Sequence, residues 1–167
     1  PWCYFIKGVS GYKVPVIFLD TNLEENREWE RTLTSYLYGG GTDYRLAQEI
    51  ILGIGGFRIL KSLGFTSIYR FHMNEGHASF LTLELYRKTK NVDFVRRQCV
   101  FTTHTPVKAG HDMFSMEKVK QFLGEFPEEI LPYVTENNML NMTRLGMFFS
   151  HYINGVAKKH KEVSMNM

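Results

Sequence analysis

Residues 70–77 read RFHMNEGH, and residues 101–106 read FTTHTP. Each stretch begins with strand-forming residues and ends in a polar turn, and the residues between the two have the spacing of an amphipathic helix. A β-α-β unit needs about 30 residues or more, which the interval from 66 to 104 provides. The sequence therefore predicts an α/β fold in which parallel strands at 66–72 and 98–103 place both polar turns at one edge of a sheet.

Polar side chains that can bind a ligand cluster around these two turns. Ligands of open α/β sheets bind outside the carboxyl ends of the strands, so we expect a binding site at this edge. Side chains of this kind supply both the donors and the acceptors that sugar hydroxyl groups require. A carbohydrate ligand therefore suits the edge. The residues are His72, Asn74, Glu75, His77, His104 and His111.

Each of these residues also has a structural interpretation. His104 ends an apolar strand, where its imidazole and its backbone carbonyl can both face a cleft, and we expect it to contact the substrate. Glu75 and His77 are equally well explained as caps and braces of the turn, because a carboxylate is stabilising near a helix N-terminus. His72 is better explained as a core residue. His111 and the neighbouring Asp112 either line the cleft or brace it.

The sequence supports neither a zinc site nor a catalytic triad as well as it supports a carbohydrate-binding site. His72, His77 and His104 would make a three-histidine zinc set, but the first two straddle a strand and a turn instead of sharing one helix face. We therefore expect no metal site. No serine stands at a strand-turn-helix elbow of the kind that a Ser-His-Asp triad uses.

The longest helical pattern covers residues 42–63 and contains Gly53, Gly55 and Gly56. Each glycine costs about 1 kcal/mol relative to alanine in a helix interior. Glycines that bind phosphate open a helix directly after a strand, whereas these lie inside one. The pattern therefore favours close packing against a neighbouring backbone over phosphate binding.

The remaining elements extend the alternation of strands and helices, and no internal repeat or linker interrupts it. Pro15 favours an edge position for the strand that contains it. The glycines at 39–41 predict a loop, because glycine adopts positive φ without cost. Residues 23–37 show no clean period. Further strands are predicted at 12–19 and 148–153, and further helices at 115–123, at 137–146 and from residue 156 through residue 162.

Composition narrows the class of protein. The chain of 167 residues has 44% hydrophobic and 22% charged residues and a net charge of +3, with its basic residues scattered, so we expect no nucleic-acid partner. No apolar run approaches the roughly 18 residues of a membrane span, and we expect no membrane partner. Two cysteines, Cys3 and Cys99, favour reduced thiols and a cytoplasmic location. Because the chain opens on Pro1 and stops inside a helical pattern, we expect a piece of a longer polypeptide.

Six ordered blocks make this sequence resemble the α-glucan phosphorylases, particularly the shorter microbial type. Each block alone is a weak signal, but their common order from about residue 14 to about residue 164 makes coincidence implausible. The blocks are LYGG (37–40) with YRLAQE (44–49), LGIGG (52–56), HMNEGHA (72–78), FTTHTP (101–106), AGHD (109–112) and NGVA (154–157).

The resemblance implies a fold, a reaction and a cofactor. The fold is a GT-B arrangement of two Rossmann-like domains, of which residues 1–167 would be the later part of the N-terminal one. The reaction is reversible transfer of a glucosyl unit from the non-reducing end of an α-1,4-glucan or maltooligosaccharide to phosphate, giving glucose 1-phosphate. The cofactor is pyridoxal phosphate. Its lysine belongs to the C-terminal domain, which is missing, so no residue of this chain is expected to bind it.

The resemblance also implies roles for individual residues. His104 would bind the primary hydroxyl of the sugar and direct its backbone carbonyl at the developing oxocarbenium charge, which makes it the candidate catalytic residue. Asn74, Glu75 and His77 would line the sugar pocket. Residues 38–41, among them Tyr38, Gly39 and Gly40, would form a gate loop over the substrate channel.

The sequence also departs from the family pattern. Lys108 stands where related sequences carry proline, and residues 165–167 lack the expected basic side chains. The glycine-rich phosphate loop and the C-terminal half have no counterpart here, so we expect the isolated chain to be inactive. Two alternatives stay open: a GT-B glycosyltransferase of the glycogen synthase type that uses a sugar nucleotide, and a non-catalytic carbohydrate-binding fragment.

Overall fold

The structure, a computed structural model, describes residues 1–37, 40–104 and 111–156. The chain divides into two compact units, Pro1–Gln48 and Glu49–Met167. Among the described residues, no helix combines the length and the apolar character that crossing a membrane would require.

The first unit is built on an antiparallel hairpin. Strand β1 (Trp2–Lys7) pairs with β2 (Lys13–Phe18), with Trp2 opposite Phe18. The strand predicted at 12–19 is therefore confirmed, whereas β1 was not predicted. A short helix, α1 (Glu28–Arg31), and most of α2 (Thr42–Ile50) complete the unit.

One face of this hairpin consists entirely of apolar side chains. Alternation along β1 and the register with β2 place the members of this face opposite one another in pairs. Most of them are more than half exposed to solvent. We call this surface the hairpin face; it is formed by Trp2, Tyr4, Ile6, Val14, Val16 and Phe18.

The second unit begins inside the helical stretch predicted at 42–63. After α2 the helix widens into a π-helical segment, Ile51–Gly55, and continues as α3 (Gly56–Ser62). A Cβ atom on Gly53 would lie 2.8 Å from the backbone nitrogen of Leu81 and 2.9 Å from Cβ of Phe80. Close packing is thus confirmed at Gly53. It does not apply to Gly55, where the nearest atom would be 3.9 Å away.

The centre of the second unit is a parallel sheet of three strands. Strand β3 (Phe71–Asn74) leads through a 3₁₀ turn (Gly76–Ala78) and two helices, α4 (Leu81–Thr89) and α5 (Val92–Gln98), into β4 (Cys99–Thr103). The predicted parallel pair and its helical connection are confirmed, although β3 starts at residue 71 and the residues before it, 65–70, have no regular structure.

The third strand of this sheet differs from its prediction. Strand β8 (Tyr152–Gly155) pairs with β4 in parallel, so the order is β3-β4-β8. The prediction placed this strand at 148–153 and treated Asn154 and Gly155 as a turn, yet both lie in the ladder, Asn154 opposite Thr102. The helix predicted after it lies outside the described residues.

The two faces of the parallel sheet have different surroundings. Phe71, Met73, Cys99 and Phe101 point to the buried face and belong to the core. On the other face His72, Asn74 and Tyr152 are exposed, which is unusual for a parallel sheet, because such sheets are normally covered on both sides. Burial also raises the pKa of the Cys99 thiol to about 12.

A small antiparallel sheet follows the parallel pair. Its strands are β5 (Met113–Ser115), β6 (Thr135–Glu136) and β7 (Met139–Asn141), in the order β5-β7-β6. Asn137 and Asn138, with φ of 49° and 59°, turn β6 into β7. The helix predicted at 137–146 is therefore wrong in its first half, because two asparagines at positive φ favour a tight hairpin turn.

The last helices fill the space between these strands. The helix predicted at 115–123 is confirmed as α6 (Met116–Leu123), whose N-terminus is capped by the hydroxyl of Ser115. A 3₁₀ turn (Glu128–Ile130) and α7 (Leu131–Val134) lead into β6, and α8 (Met142–Phe148) follows β7.

Candidate functional site

Glu75 joins the ends of the two predicted strands. It follows β3 with φ of 63° and ψ of −176°, a conformation that is strained for any residue other than glycine. Its backbone N–H donates to the carbonyl of Thr102 at 2.9 Å. Its carboxylate accepts from the backbone N–H of His104 and, at 3.4 Å, from the hydroxyl of Thr103. The strained turn after β3 is therefore attached to the carboxyl end of β4.

His104 lies at the exposed end of β4 with its backbone N–H directed at Glu75. The sequence predicted that the two polar turns meet at one edge of the sheet, and the parallel register of β3 with β4 brings them together. Because the Glu75 carboxylate restrains the backbone of His104, the imidazole of His104 can point in only a restricted range of directions.

His72 and Asn74 lie on the open face of the sheet. The ring nitrogen Nε2 of His72 is 2.6 Å from the hydroxyl of Thr102, which in turn donates to the side-chain oxygen of Asn154 at 2.8 Å. The interpretation of His72 as a core residue is wrong, because even-numbered residues of β3 point away from the buried face. Asn74 is exposed beside it.

His77 is held by two carboxylates. Its Nδ1 lies 3.2 Å from Oδ2 of Asp112 and 3.4 Å from Oε1 of Glu49. Glu49 comes from the end of α2 and is only 1% exposed, while Asp112 directly precedes β5. We call these three residues the His77 cluster.

The electrostatics of the His77 cluster follow from its burial and its hydrogen bonds. The bond to Asp112, and after it the bond to Glu49, raise the pKa of His77 to about 9, against the opposing effect of burial. Burial raises the pKa of Glu49 to about 7, although the hydrogen bond from His77 lowers it. The raised pKa favours the cationic form of His77 at neutral pH, in which both ring nitrogens are donors.

The arrangement of the His77 cluster is that of a hydrogen-bond network. Its potential ligand atoms lie within 4.8 Å of one another, the one such grouping of three among the residues that the structure describes. Both carboxylates approach the same ring nitrogen, and a proton on Nδ1 would be shared between them. His72 and His104, which the sequence analysis weighed together with His77 as zinc ligands, are not members.

A cavity of about 250 Å³ opens at the carboxyl end of β4. Thr103 and His111 line one side, and the N-terminal part of α8 lines the other with Thr143 and Arg144. Arg144 forms an ion pair with Glu136 at 3.0 Å on its rim. Polar groups and methionine side chains thus share the wall.

Other predicted site residues lie elsewhere. Tyr38 and Gly39 fall outside the described residues, as do residues 105–110. Gly40 belongs to the first unit and has φ of 70°, which suits a loop before α2.

Sequence reasoning missed Glu49 as a site residue and left Asp112 undecided. A signal for Glu49 was present, because it lies on the same helical face as the buried Leu46 and Gly53, three and four residues away. A charged residue on the apolar face of a helix needs a partner.

The sequence of the chain is similar to the sequences of known enzymes. No protein-family model matches the sequence. The chain is 38% identical over 168 residues to the maltodextrin phosphorylase of Thermococcus litoralis, an alignment that covers 93% of this chain. The chain is homologous to a segment of the maltodextrin and glycogen phosphorylases.

Two further relatives agree with this assignment. The glycogen phosphorylases of Mycobacterium tuberculosis and Aquifex aeolicus are 35% and 33% identical to the chain, again over 93% of its length. The matched segment is 20% of the Thermococcus protein, 21% of the Mycobacterium protein and 25% of the Aquifex protein. The chain thus spans about a fifth to a quarter of the length of these phosphorylase relatives.

Proposed function

We propose that this chain supplies one wall of the sugar pocket of an α-1,4-glucan phosphorylase. The reaction would be transfer of a glucosyl unit from the non-reducing end of a glucan or maltooligosaccharide to phosphate, giving glucose 1-phosphate. The observation that carries the proposal is the bond from the His104 backbone N–H to the Glu75 carboxylate, in a chain homologous to phosphorylases. Residues 1–167 would form the later part of the N-terminal domain of a GT-B fold.

His104 is the catalytic residue in this proposal. Its imidazole would bind the primary hydroxyl of the transferred glucose. Its backbone carbonyl would face the positive charge that develops on the sugar ring, and a fixed dipole at that position stabilises the transition state more than the ground state. The contact between Glu75 and the His104 backbone supports this role, because it restrains the peptide group before the substrate arrives.

The other predicted site residues would surround the sugar. Asn74 offers an amide on the open face, and His77 offers imidazole N–H donors. Glu75 would contribute mainly by fixing the wall, because its carboxylate is already bonded to Thr103 and His104. Tyr38, Gly39 and Gly40 would belong to a gate loop over the pocket.

Pyridoxal phosphate would be held by the remainder of the enzyme. The cofactor requires a lysine for its Schiff base. Lys61, Lys88 and Lys90 have their ammonium groups over the rings of Phe57 and Tyr86, and the described residues around Glu75 and His104 are carboxylate, hydroxyl and imidazole groups. The described residues around Glu75 and His104 therefore do not fit covalent attachment of the cofactor.

A chimeric enzyme tests the proposal. Residues 14–156 would replace the matching segment of the Thermococcus maltodextrin phosphorylase, and phosphorolysis of maltoheptaose would be followed by glucose 1-phosphate release. We expect an active chimera that loses activity about 100-fold or more when His104 is changed to alanine. Lys88→Ala, far along α4, is the matched control and should retain activity. Equal rates for the His104→Ala chimera and its parent would contradict the proposal.

Assays on the isolated chain separate catalysis from binding. Alone, it should neither release glucose 1-phosphate from glucan nor form a covalent adduct with pyridoxal phosphate, because its residues build only one wall of the pocket. Release of glucose 1-phosphate by this polypeptide would contradict the proposal that it supplies only one wall of the pocket. Equal affinity of the isolated wild type and His104→Ala for maltoheptaose would remove His104 from the pocket.

A further inference from the structure

The His77 cluster assembles from three separate segments of the second unit. Glu49 stands at the end of α2, His77 in the 3₁₀ turn after β3, and Asp112 immediately before β5. The backbone carbonyl of Asp112 accepts from the N–H of Met142 at 3.1 Å, so the position of Asp112 is fixed by the start of α8. Gly76 precedes His77, and a Cβ atom added to Gly76 would lie 2.9 Å from Cβ of Met142. The absence of a side chain at Gly76 therefore lets the same turn pack closely against α8.

Two acceptors on one ring nitrogen restrict the imidazole. A single carboxylate would leave the ring free to tilt about the hydrogen bond. Asp112 at 3.2 Å and Glu49 at 3.4 Å approach Nδ1 from different segments, so its proton is shared between them and rotation of the ring breaks both contacts. Glu49 is enclosed, which excludes water as a competing partner.

We propose that Glu49 and Asp112 are positioning residues that keep Nδ1 of His77 protonated and fix the ring, so that His77 acts on the sugar as a donor through Nε2. The inference rests on the proposed function for the place of His77 in the sugar pocket. It adds Glu49, which the sequence did not single out, and gives a definite role to Asp112, which the sequence left undecided between lining and bracing the cleft. The raised pKa of His77, about 9, agrees with a ring that carries protons on both nitrogens at neutral pH.

Other charged groups near the 3₁₀ turn have partners of their own. On α8, which packs against the turn, Arg144 pairs with Glu136 at 3.0 Å. On β3, His72 bonds to Thr102 at 2.6 Å. The π-helical segment, residues 51–55, carries no titratable side chain. Within the part of the chain that the structure describes, Asp112 and Glu49 form the ion pairs with His77.

The test is a ¹⁵N nuclear magnetic resonance titration of the histidine rings in the 167-residue chain. In the wild type we expect both ring nitrogens of His77 to carry protons at pH 7. Asp112→Asn should weaken proton binding at His77 about tenfold or more, because an adjacent carboxylate shifts a histidine by that order. Glu49→Gln should have a smaller effect, and Asp112→Glu should restore the wild-type behaviour.

Two internal controls make the result specific. His151 has its Nδ1 at 2.9 Å from the carbonyl oxygen of Cys99 and at 3.1 Å from that of Arg96, so it meets two oxygens without a carboxylate. Its ring should not respond to Asp112→Asn. Asp93→Asn removes an exposed acid on α5 and should leave His77 unchanged.

The outcomes distinguish this inference from the proposed function. The inference is overturned if His77 is neutral at pH 7 in the wild type, or if neither Asp112→Asn nor Glu49→Gln changes its protonation. Neither result depends on the activity of a variant. A doubly protonated ring that responds as expected supports it. Titration of the same sample with maltoheptaose addresses the proposed function separately, because absence of binding would contradict the sugar pocket while the ring measurement stands.

Discussion

Two features of Glu75 affect the stability of the candidate site: the contacts of its carboxylate and its strained backbone conformation. The carboxylate stabilises the turn through His104 and Thr103, while the positive φ destabilises it. These two effects can be separated by substitution. Glycine relieves the backbone strain and removes the carboxylate, whereas alanine removes the carboxylate and keeps the strain.

We expect Glu75→Ala to lower the free energy of unfolding by about 1.5 to 3 kcal/mol, because it loses the charge-assisted hydrogen bonds while the backbone strain is the same as in the wild type. Glu75→Gly should lower the free energy of unfolding less than Glu75→Ala does, by about 1 kcal/mol or more, because glycine adopts this backbone conformation without strain. Urea denaturation followed by tryptophan fluorescence measures both. Equal destabilisation by the two variants would mean that the backbone at residue 75 is not strained.

The His77 cluster also makes stability depend on pH. The folded pKa values of Glu49 and His77, about 7 and about 9, exceed their ordinary values of 4.5 and 6.5. A group with a higher pKa in the folded state binds protons more tightly there, so its contribution is present at low pH and is lost as pH rises through that interval. The intervals are 4.5 to 7 for Glu49 and 6.5 to 9 for His77.

We therefore expect the free energy of unfolding to decline between about pH 5 and about pH 9. Glu49→Gln has no buried carboxyl group to ionise, so the variant should become more stable relative to the wild type as pH rises from 5 to 7. Denaturation curves at several pH values provide the comparison. Parallel pH profiles for the two proteins would contradict the raised pKa of Glu49.

At the scale of the elements, Gly53 and Gly55 offer a matched pair within one helical segment. Alanine at Gly53 would place its Cβ 2.8 Å from the backbone of Leu81, which cannot move without shifting α4. We expect Gly53→Ala to destabilise the fold by about 1 to 3 kcal/mol. Gly55→Ala meets nothing within 3.9 Å and should stabilise it by about 0.5 to 1 kcal/mol. Thermal unfolding of both variants measures the difference, and a shift of the same sign in both would refute the packing argument.

The elements also show how far sequence reasoning reached. The parallel pair β3 and β4 could be predicted, because an apolar strand, a helical connection and a second strand have distinct local periods. The hairpin turn at Asn137 and Asn138 could not be separated from a helix by spacing alone, since Met139, Met142 and Leu145 recur every three residues, as they would on a helix. Its chemistry, two residues that tolerate positive φ, was the signal that mattered.

The candidate site divides in the same way. Glu75 and His104 were predictable because each directly follows a strand, and parallel strands bring their carboxyl ends together. Glu49 reaches His77 across an interval of 28 residues, and a contact between residues so far apart in the chain depends on the tertiary fold. The local sequence shows a charged residue, Glu49, on an apolar helical face, but it does not show that His77 is its partner.

At the scale of the whole molecule, two apolar or half-covered surfaces stand out within the described residues. The hairpin face exposes six apolar side chains in the first unit. In the second unit the parallel sheet leaves one face open. Apolar side chains that remain exposed in this way favour association with another surface.

We expect the isolated chain to self-associate through the hairpin face, because exposed apolar patches on a short hairpin favour aggregation. Changing Tyr4 and Phe18 to serine should reduce light scattering at a given concentration. Changing Phe5 on the opposite face is the control and should have less effect. Unaltered scattering in the double variant would place the association elsewhere.

The difference between the two cysteines has a practical consequence. Cys3 is exposed on the hairpin, whereas Cys99 is fully enclosed in β4 with a thiol that does not ionise near neutral pH. A maleimide dye would therefore attach to Cys3 at once and reach Cys99 only when the central strand opens. The rate of the second modification, read by mass spectrometry, would report how often the native sheet comes apart without any denaturant.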